Sequence, residues 1–331
     1  MITIFRTRLL AVAAAFAFAA AASAQPVVMR ISHQVPPAHH MTKLLESFAA
    51  DVKARTGGGV DVQLYGSEQI AKAAENFPQV ARGTIEAAMS VNPQWGKTIP
   101  EMSATLIPYA MGELERIKRF PKSEARKFLD AKLEQRGVHS LAWLYITRQT
   151  IITSSRRPII AIDDFKGVKI RGLNSMTDTG LVAAGAAPSA MPGSEVYQAL
   201  QSGVLDAGLT DVSAAFSRKY FEVQKYGTVG PIYTIYFHMY VNPAWWAKLK
   251  PEYRQALEAA AAKVEADAIG VTEATADAAI RDLQTKGMAI HLQTPAEQAA
   301  WRAVMEPAVR DAFLKAAPEG GPKILELLGK L

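Results

Sequence analysis

The stretch from Pro251 to Lys286 constrains the fold more than any other part of the chain. It has no proline after its first position and a single glycine, Gly270, and it repeats an apolar face at Leu257, Ala261, Val264, Ala268, Val271, Ala279 and Leu283, with the methyl of Thr275 filling the one polar position. At about 1.5 Å of rise per residue this helix runs roughly 54 Å, longer than one small domain. Gly270 costs a helix only about 1 kcal/mol, so the spacing predicts a continuous or gently kinked rod that crosses two lobes rather than two helices broken at the glycine.

The sequence before the rod supplies two such lobes. Val28–Ser32, Val60–Tyr65 and Ile85–Ser90 read as strands, separated by helical sequence over His39–Arg55 and Asn76–Arg82, and Thr56-Gly57-Gly58-Gly59 ends the first helix. Helical sequence over Glu113–Arg136, broken at Pro121, leads into a strand over Ser140–Ile146. A second set follows: a strand at Val168–Arg171, a helix at Thr177–Ala184, an edge segment at Ala187–Met191, a helix at Glu195–Ser202 and a strand start at Ala207–Thr210. After the rod come a strand over Met288–Leu292 and helical sequence over Pro295–Lys315, interrupted at Pro307. Alternating β and α units of this kind make an α/β fold, and ligands of open parallel sheets sit beyond the carboxyl ends of the strands, here between the lobes.

With 331 residues the chain has about two domains' worth of core, and with no cysteine it has neither disulfides, thiolate metal sites nor a cysteine nucleophile. The net charge of +6 is spread over interspersed residues of both signs, which argues against nucleic acid as a partner. Arg6 and Arg8 precede an uncharged run from Leu9 to Ala22, and Ala22-Ser23-Ala24 supplies small residues for cleavage, so residues 1–24 read as a signal peptide cut near Ala24. That places the mature chain in the periplasm.

Catalytic templates are absent: there is no G-x-S-x-G, H-E-x-x-H, P-loop or G-x-G-x-x-G. His33, His39 and His40 lack a carboxylate at ligand spacing, so no metal and no cofactor is expected, and Asp163-Asp164 reads as a helix cap. Arg171 stands out on physical grounds, because it ends an apolar strand and its planar fork can take a carboxylate through two parallel hydrogen bonds.

Three runs resemble the solute-binding proteins of TRAP (tripartite ATP-independent periplasmic) transporters, the DctP family. They are Asp164-Phe165-Lys166-Gly167-Val168-Lys169-Ile170-Arg171, Ala187-Pro188-Ser189-Ala190-Met191-Pro192, and Ser194 through Ala207 with its Gly203-Val204-Leu205-Asp206 turn. Val35-Pro36-Pro37-Ala38-His39, Thr56-Gly57-Gly58 and Val80 through Glu86 are similar to the family's opening, so the likeness covers the whole mature chain.

The resemblance implies a two-lobed periplasmic-binding-protein type II-like fold with hinge strands and a long helix spanning both lobes. Lobe I is expected over 25–147 with 236–265 returning to it, and lobe II over 148–235 with 266–331 packing on it. It also implies a receptor, monomeric and not an enzyme, that captures a small organic acid anion. The receptor delivers it to a sodium-coupled TRAP permease of one small and one large membrane subunit. Arg171 falls at the family's main carboxylate-binding arginine, and Arg148 in Thr147-Arg148-Gln149-Thr150 is the candidate second arginine. Thr210 stands where many members carry asparagine and Asp211 adds an acid, which points away from a simple C4-dicarboxylate.

Strand ends add Glu68, Asn92 and Tyr236 to the expected substrate-binding set, with Ser90, Trp95 and Phe237 as neighbours of the same kind. The competing class is a secreted two-lobed enzyme acting on a small carboxylate, for which Ser90, Thr210 and His33 are the only nucleophile or base candidates.

Overall fold

A computed structural model describes residues 25–331, so the leader expected over 1–24 lies outside the described residues. The first sheet begins with β1 (Val27–His33), crosses over through α1 (His40–Arg55) to β2 (Val60–Tyr65), and returns through the short α2 (Asn76–Ala81) to β3 (Ala87–Val91). β1 pairs in parallel with both β2 and β3. His39 caps α1, its Nδ1 accepting from the Met41 amide. Gly57 and Gly58, with φ of 56° and 81°, turn the chain left-handed at its far end, where the Gly58 N–H closes on the Lys53 carbonyl.

Pro121 separates α3 (Leu114–Arg119) from α4 (Glu124–Gln135), as its missing N–H and ring predict, and β4 (His139–Thr147) then joins the first sheet at its edge. Two residues later the chain enters the second sheet as β5 (Thr150–Ser154). That sheet is completed by β6 (Lys169–Gly172), α5 (Asp178–Ala183), β7 (Ala187–Ala190), α6 (Val196–Gln201), β8 (Ala207–Asp211), α7 (Val212–Ser217) and β9 (Tyr226–Gly230). β10 (Ile235–Val241) goes back to the first sheet, between β3 and β4 and antiparallel to both. The strand orders are β2-β1-β3-β10-β4 and, with β11 (Ala289–Leu292) at the edge, β11-β9-β5-β8-β6-β7.

After α8 (Pro243–Lys248) the rod is α9 (Pro251–Thr285), 35 residues without interruption. Gly270 breaks nothing. α9 packs on α1 and β4 at one end and on α7 and β11 (Ala289–Leu292) at the other, so it spans both sheets.

Two features depart from the sequence reading. Pro307 does not interrupt α10 (Pro295–Ala316), because Trp301 and Met305 before it and Val309 and Phe313 after it are all buried along one face, and that burial outweighs one lost hydrogen bond. Residues 295–331, expected on the second lobe, touch both. α10 packs on α5, while Val309 and Phe313, with Ile324 and Leu328 of α11 (Gly321–Gly329), complete an apolar cluster with Trp95, Phe120 and Leu129 beside the first sheet.

Candidate ligand-binding cleft

The carboxyl ends of β1, β3, β6 and β8 converge between the sheets, and the last strand residues and first loop residues there line a cleft of two connected chambers. The inner one, 40 Å³, is lined by Arg171, Thr210, Asp211 and Arg218 of the second sheet's elements, facing Gln34, His39, Ile235 and Phe237 of the first. The outer one, 360 Å³, shares Arg171, Gln34, Val91, Pro93, Leu173 and Gly193 with it. Asn174 Nδ2 donates to the Pro93 carbonyl at 2.9 Å, and Ser213 Oγ lies 3.2 Å from His40 Nδ1, so side chains bridge the two sides and the cleft is closed.

Arg171 is held by its own loops. Gly172 gives it a tight exit, since a Cβ there would collide with the Asp178 carboxylate, which instead accepts from the Leu173 amide. Arg171 as a whole is 8% exposed; Nε and Nη2 donate to the Met191 carbonyl at 3.2 and 3.0 Å, and Nη1 to the Leu209 carbonyl at 2.6 Å. An arginine has five N–H donors, so one remains on each terminal nitrogen, the pair a carboxylate takes. No carboxylate lies within 4 Å of Arg171 or Arg218 among the described residues. Burial pulls the Arg171 guanidinium below its ordinary value; the charge of Arg218 acts in the same direction, against Tyr220, Asp178 and Asp211.

Asp211 closes β8 and caps α7. Its Oδ1 accepts from Ser213 Oγ at 2.5 Å and from the Ala214 amide at 2.7 Å, with His39 Nε2 at 3.9 Å. Burial alone would raise its carboxyl, but His39, Ser213 and His40 together hold it well below the usual carboxylate range, so it stays charged. Thr210 lines the inner chamber.

Three of the expected residues, Arg171, Thr210 and Asp211, therefore meet in the cleft, and four do not. Arg148 donates from Nη2 to Glu273 of α9 at 2.8 Å and from Nη1 to the Gly112 carbonyl, and lines a separate 680 Å³ cavity with Tyr109, Gln293 and Arg302. Asn92 is buried with its amide spent: Nδ2 donates to the Met102 carbonyl and Thr105 Oγ1, and Oδ1 accepts from the Tyr236 amide. Glu68, at φ 62°, closes its own loop by accepting from the Ala73 amide at 2.8 Å. Tyr236 points to the opposite face of β10 from Ile235 and Phe237, into a cluster with Phe120 and Trp143, as a period of two requires. The histidines make no metal centre: no cluster of three or more His, Cys, Asp or Glu with metal-holding geometry occurs among the described residues.

Arg218 was not in the expected set. It caps the C-terminus of α7, and its guanidinium lies over Gly193, where a Cβ would come within 2.6 Å of Nη1. Gln34 and Asn174 were missed as well. The signal for Arg218 is a basic residue capping the far end of a short helix that starts at a cleft-forming strand end, which becomes informative only once that strand end is known to face the cleft.

Known proteins resemble this chain over most of its length. Residues 31–316 match the family "Bacterial extracellular solute-binding protein, family 7" (DctP). The C4-dicarboxylate-binding periplasmic protein DctP of Rhodobacter capsulatus is 31% identical over 300 residues, covering 90% of each chain. Among solved structures, a TRAP periplasmic solute-binding protein from Desulfovibrio salexigens with bound orotic acid superposes with a TM-score of 0.87 at 26% identity, covering 92% of this chain and 97% of that one. One from Sulfurospirillum deleyianum with bound succinate gives 0.83 at 25% identity, covering 92% and 100%. The chain belongs to the family 7 bacterial extracellular solute-binding proteins, the receptors of TRAP transporters, and is a binding protein rather than an enzyme.

Proposed function

We propose that this chain is a periplasmic receptor that captures a small organic acid anion in the inter-sheet cleft and hands it to a sodium-coupled TRAP permease. The observation that carries the reading is Arg171: a buried guanidinium at a strand end, without an acidic partner and with one unspent N–H on each terminal nitrogen. A buried cation of this kind is costly unless something negative pairs with it, and the closed cleft leaves an external anion as that partner. Thr210 and Asp211 stand where they read a donor or acceptor next to the bound carboxylate.

In this reading residues 25–147 with 236–265 form one closing body and 148–235 the core of the other. They hinge on the β4–β5 and β9–β10 crossings and on α9, and ligand stabilises the closed form. The protein works as a monomer against one small and one large membrane subunit. Its leader is removed near Ala24.

A thermal-shift screen against a panel of organic acids tests the reading, since a ligand at about 100 times its Kd adds roughly 2.7 kcal/mol to the folded state. Stoichiometric binding of an acid without product formation, together with sodium-dependent uptake when receptor and permease are reconstituted, supports it. A panel in which no acid raises the melting temperature, or in which an acid is turned over, overturns it.

A further inference from the structure

The two chambers of the cleft differ in chemistry in a way the proposed function does not use. The inner chamber is lined by both cleft guanidiniums, Arg171 and Arg218, and at 40 Å³ it is far smaller than the outer one, room for a small head group. The outer chamber, at 360 Å³, lies within the roughly 300–1,000 Å³ of sites that enclose small organic ligands. Its wall is largely apolar: Met176, Met191, Pro192 and Ala190 from the second sheet's side face Ala74 and Pro93 from the first. Lys97 is the one cation of that chamber absent from the inner one, and its side chain is exposed.

Arg171 thus borders both chambers, Arg218 the inner one alone, and the wide end is mostly apolar with Lys97 at its exposed edge. Asp211 offsets one of the two inner cations only in part, since its carboxylate is spent on the α7 cap. Arg218 has no carboxylate within 4 Å among the described residues, and the absence of a side chain at Gly193 is what lets its guanidinium lie against the chamber wall. A second carboxylate at the ligand's far end would lie against methionine, proline and alanine unless it reached Lys97 at the exposed edge of the chamber.

Resting on the reading of the cleft as an organic-acid site, we infer that the ligand is a monocarboxylate with an apolar tail, its carboxylate clamped between Arg171 and Arg218 in the inner chamber and its tail in the outer one. Arg218 is then a binding residue for the head group, and the outer chamber selects the tail.

Calorimetric titration of the full mature chain with two matched series tests this: straight-chain monocarboxylates from acetate to octanoate, and dicarboxylates from succinate to suberate. Burial of a methylene is worth about 0.8 kcal/mol, so affinity should rise about fourfold per added methylene along the monocarboxylates until the outer chamber is full. Each dicarboxylate should bind at least tenfold more weakly than the monocarboxylate of equal length. Arg218→Gln should weaken every monocarboxylate by about tenfold or more without changing the slope with tail length. Ala190→Lys, at an exposed position of the edge strand β7, should reverse the preference toward dicarboxylates.

Dicarboxylates binding more tightly than their monocarboxylate counterparts to the parent protein would overturn the tail assignment while leaving the organic-acid reading intact. Arg218→Gln binding as well as the parent would overturn the clamp. A chain that binds no acid in either series but does bind another acid of the wider panel would overturn this inference and leave the organic-acid reading intact.

Discussion

Two cavities of this molecule are each entered by an arginine that follows an apolar strand, and they part company over where its charge goes. In the larger, 680 Å³, Arg148 meets Glu273, Arg302 at its rim meets Glu306, and Gly112 takes a further N–H. In the smaller cleft Arg171 and Arg218 meet no carboxylate within 4 Å among the described residues, and the acid that is present caps a helix. What sets the cleft apart is cationic charge without an acidic partner: Arg148 and Arg302 are each paired with a carboxylate, whereas Arg171 and Arg218 have none within 4 Å among the described residues.

The sharpest break of this comparison is to remove each arginine in turn. Arg171→Ala takes one partner from a desolvated ion pair, a loss of about 2–5 kcal/mol, so affinity for the bound acid should fall roughly 30-fold to several thousand-fold. Arg171→Lys should recover only part, because an ammonium is a point donor on a flexible stem. Titration of both variants against the parent's best ligand checks this; undiminished binding in Arg171→Lys would make the cleft arginine structural. Arg148→Ala should do the reverse. It leaves Glu273 with Tyr145 as its remaining hydrogen-bond donor, at 2.7 Å, and should cost about 1–2 kcal/mol of stability in denaturant unfolding, with affinity within about threefold of the parent.

The pair also explains how much of the site could be read in advance. Trp143–Thr147 before Arg148 and Val168–Ile170 before Arg171 are the same local signal, and what separates the two arginines is Glu273, 125 residues beyond Arg148 on α9. No window of sequence contains both. The regular elements were legible because their periodicity is local: the rod, the β1-α1-β2 unit and the edge strand β7 all carry it. β5 and β9 were not, since β5 is buried on every residue between two antiparallel neighbours and so lacks alternation, and β9 is short and carries two glycines. Asn92 and Tyr236 were placed by strand position alone, and which side of a strand faces a cleft depends on a register that only the assembled sheet defines.

Acidification probes the cleft side of the comparison. His33, at the end of β1, is buried with neither ring nitrogen hydrogen-bonded, and burial first and His39 second pull it down to about 4. Asp178, beneath Arg171, is pushed up to about 6, chiefly by burial. Between pH 7 and 5 the unfolded chain takes a proton on its histidine, ordinary value about 6.5, that folded His33 refuses, so His33 makes stability fall with pH. Folded Asp178 takes a proton that the unfolded carboxylate, ordinary value about 3.9, does not, so it makes stability rise as pH falls. Each effect is about 1–2 kcal/mol over that window. Melting curves of Asp178→Asn should lose more stability than the parent from pH 7 to 5, and those of His33→Gln less; parallel curves would mean that neither group is desolvated in solution.

The smallest effect concerns the helix that joins the two regions. α9 touches the back cavity through Glu273 and the cleft side through Thr272, whose Oγ1 lies 3.1 Å from His40 Nε2, while Gly270 lies two and three residues away on the exposed face. A Cβ at 270 meets nothing within 4 Å, so packing does not require a glycine there. Alanine in a helix interior is better than glycine by about 0.5–1 kcal/mol, and Gly270→Ala should raise stability by that amount. If α9 is a passive strut between the cavities, ligand affinity will be unchanged. If it must bend at 270 for the cleft to open and close, the stiffer helix will alter the ligand's on-rate and off-rate while the stability gain remains, and stopped-flow binding on the parent and Gly270→Ala separates the two.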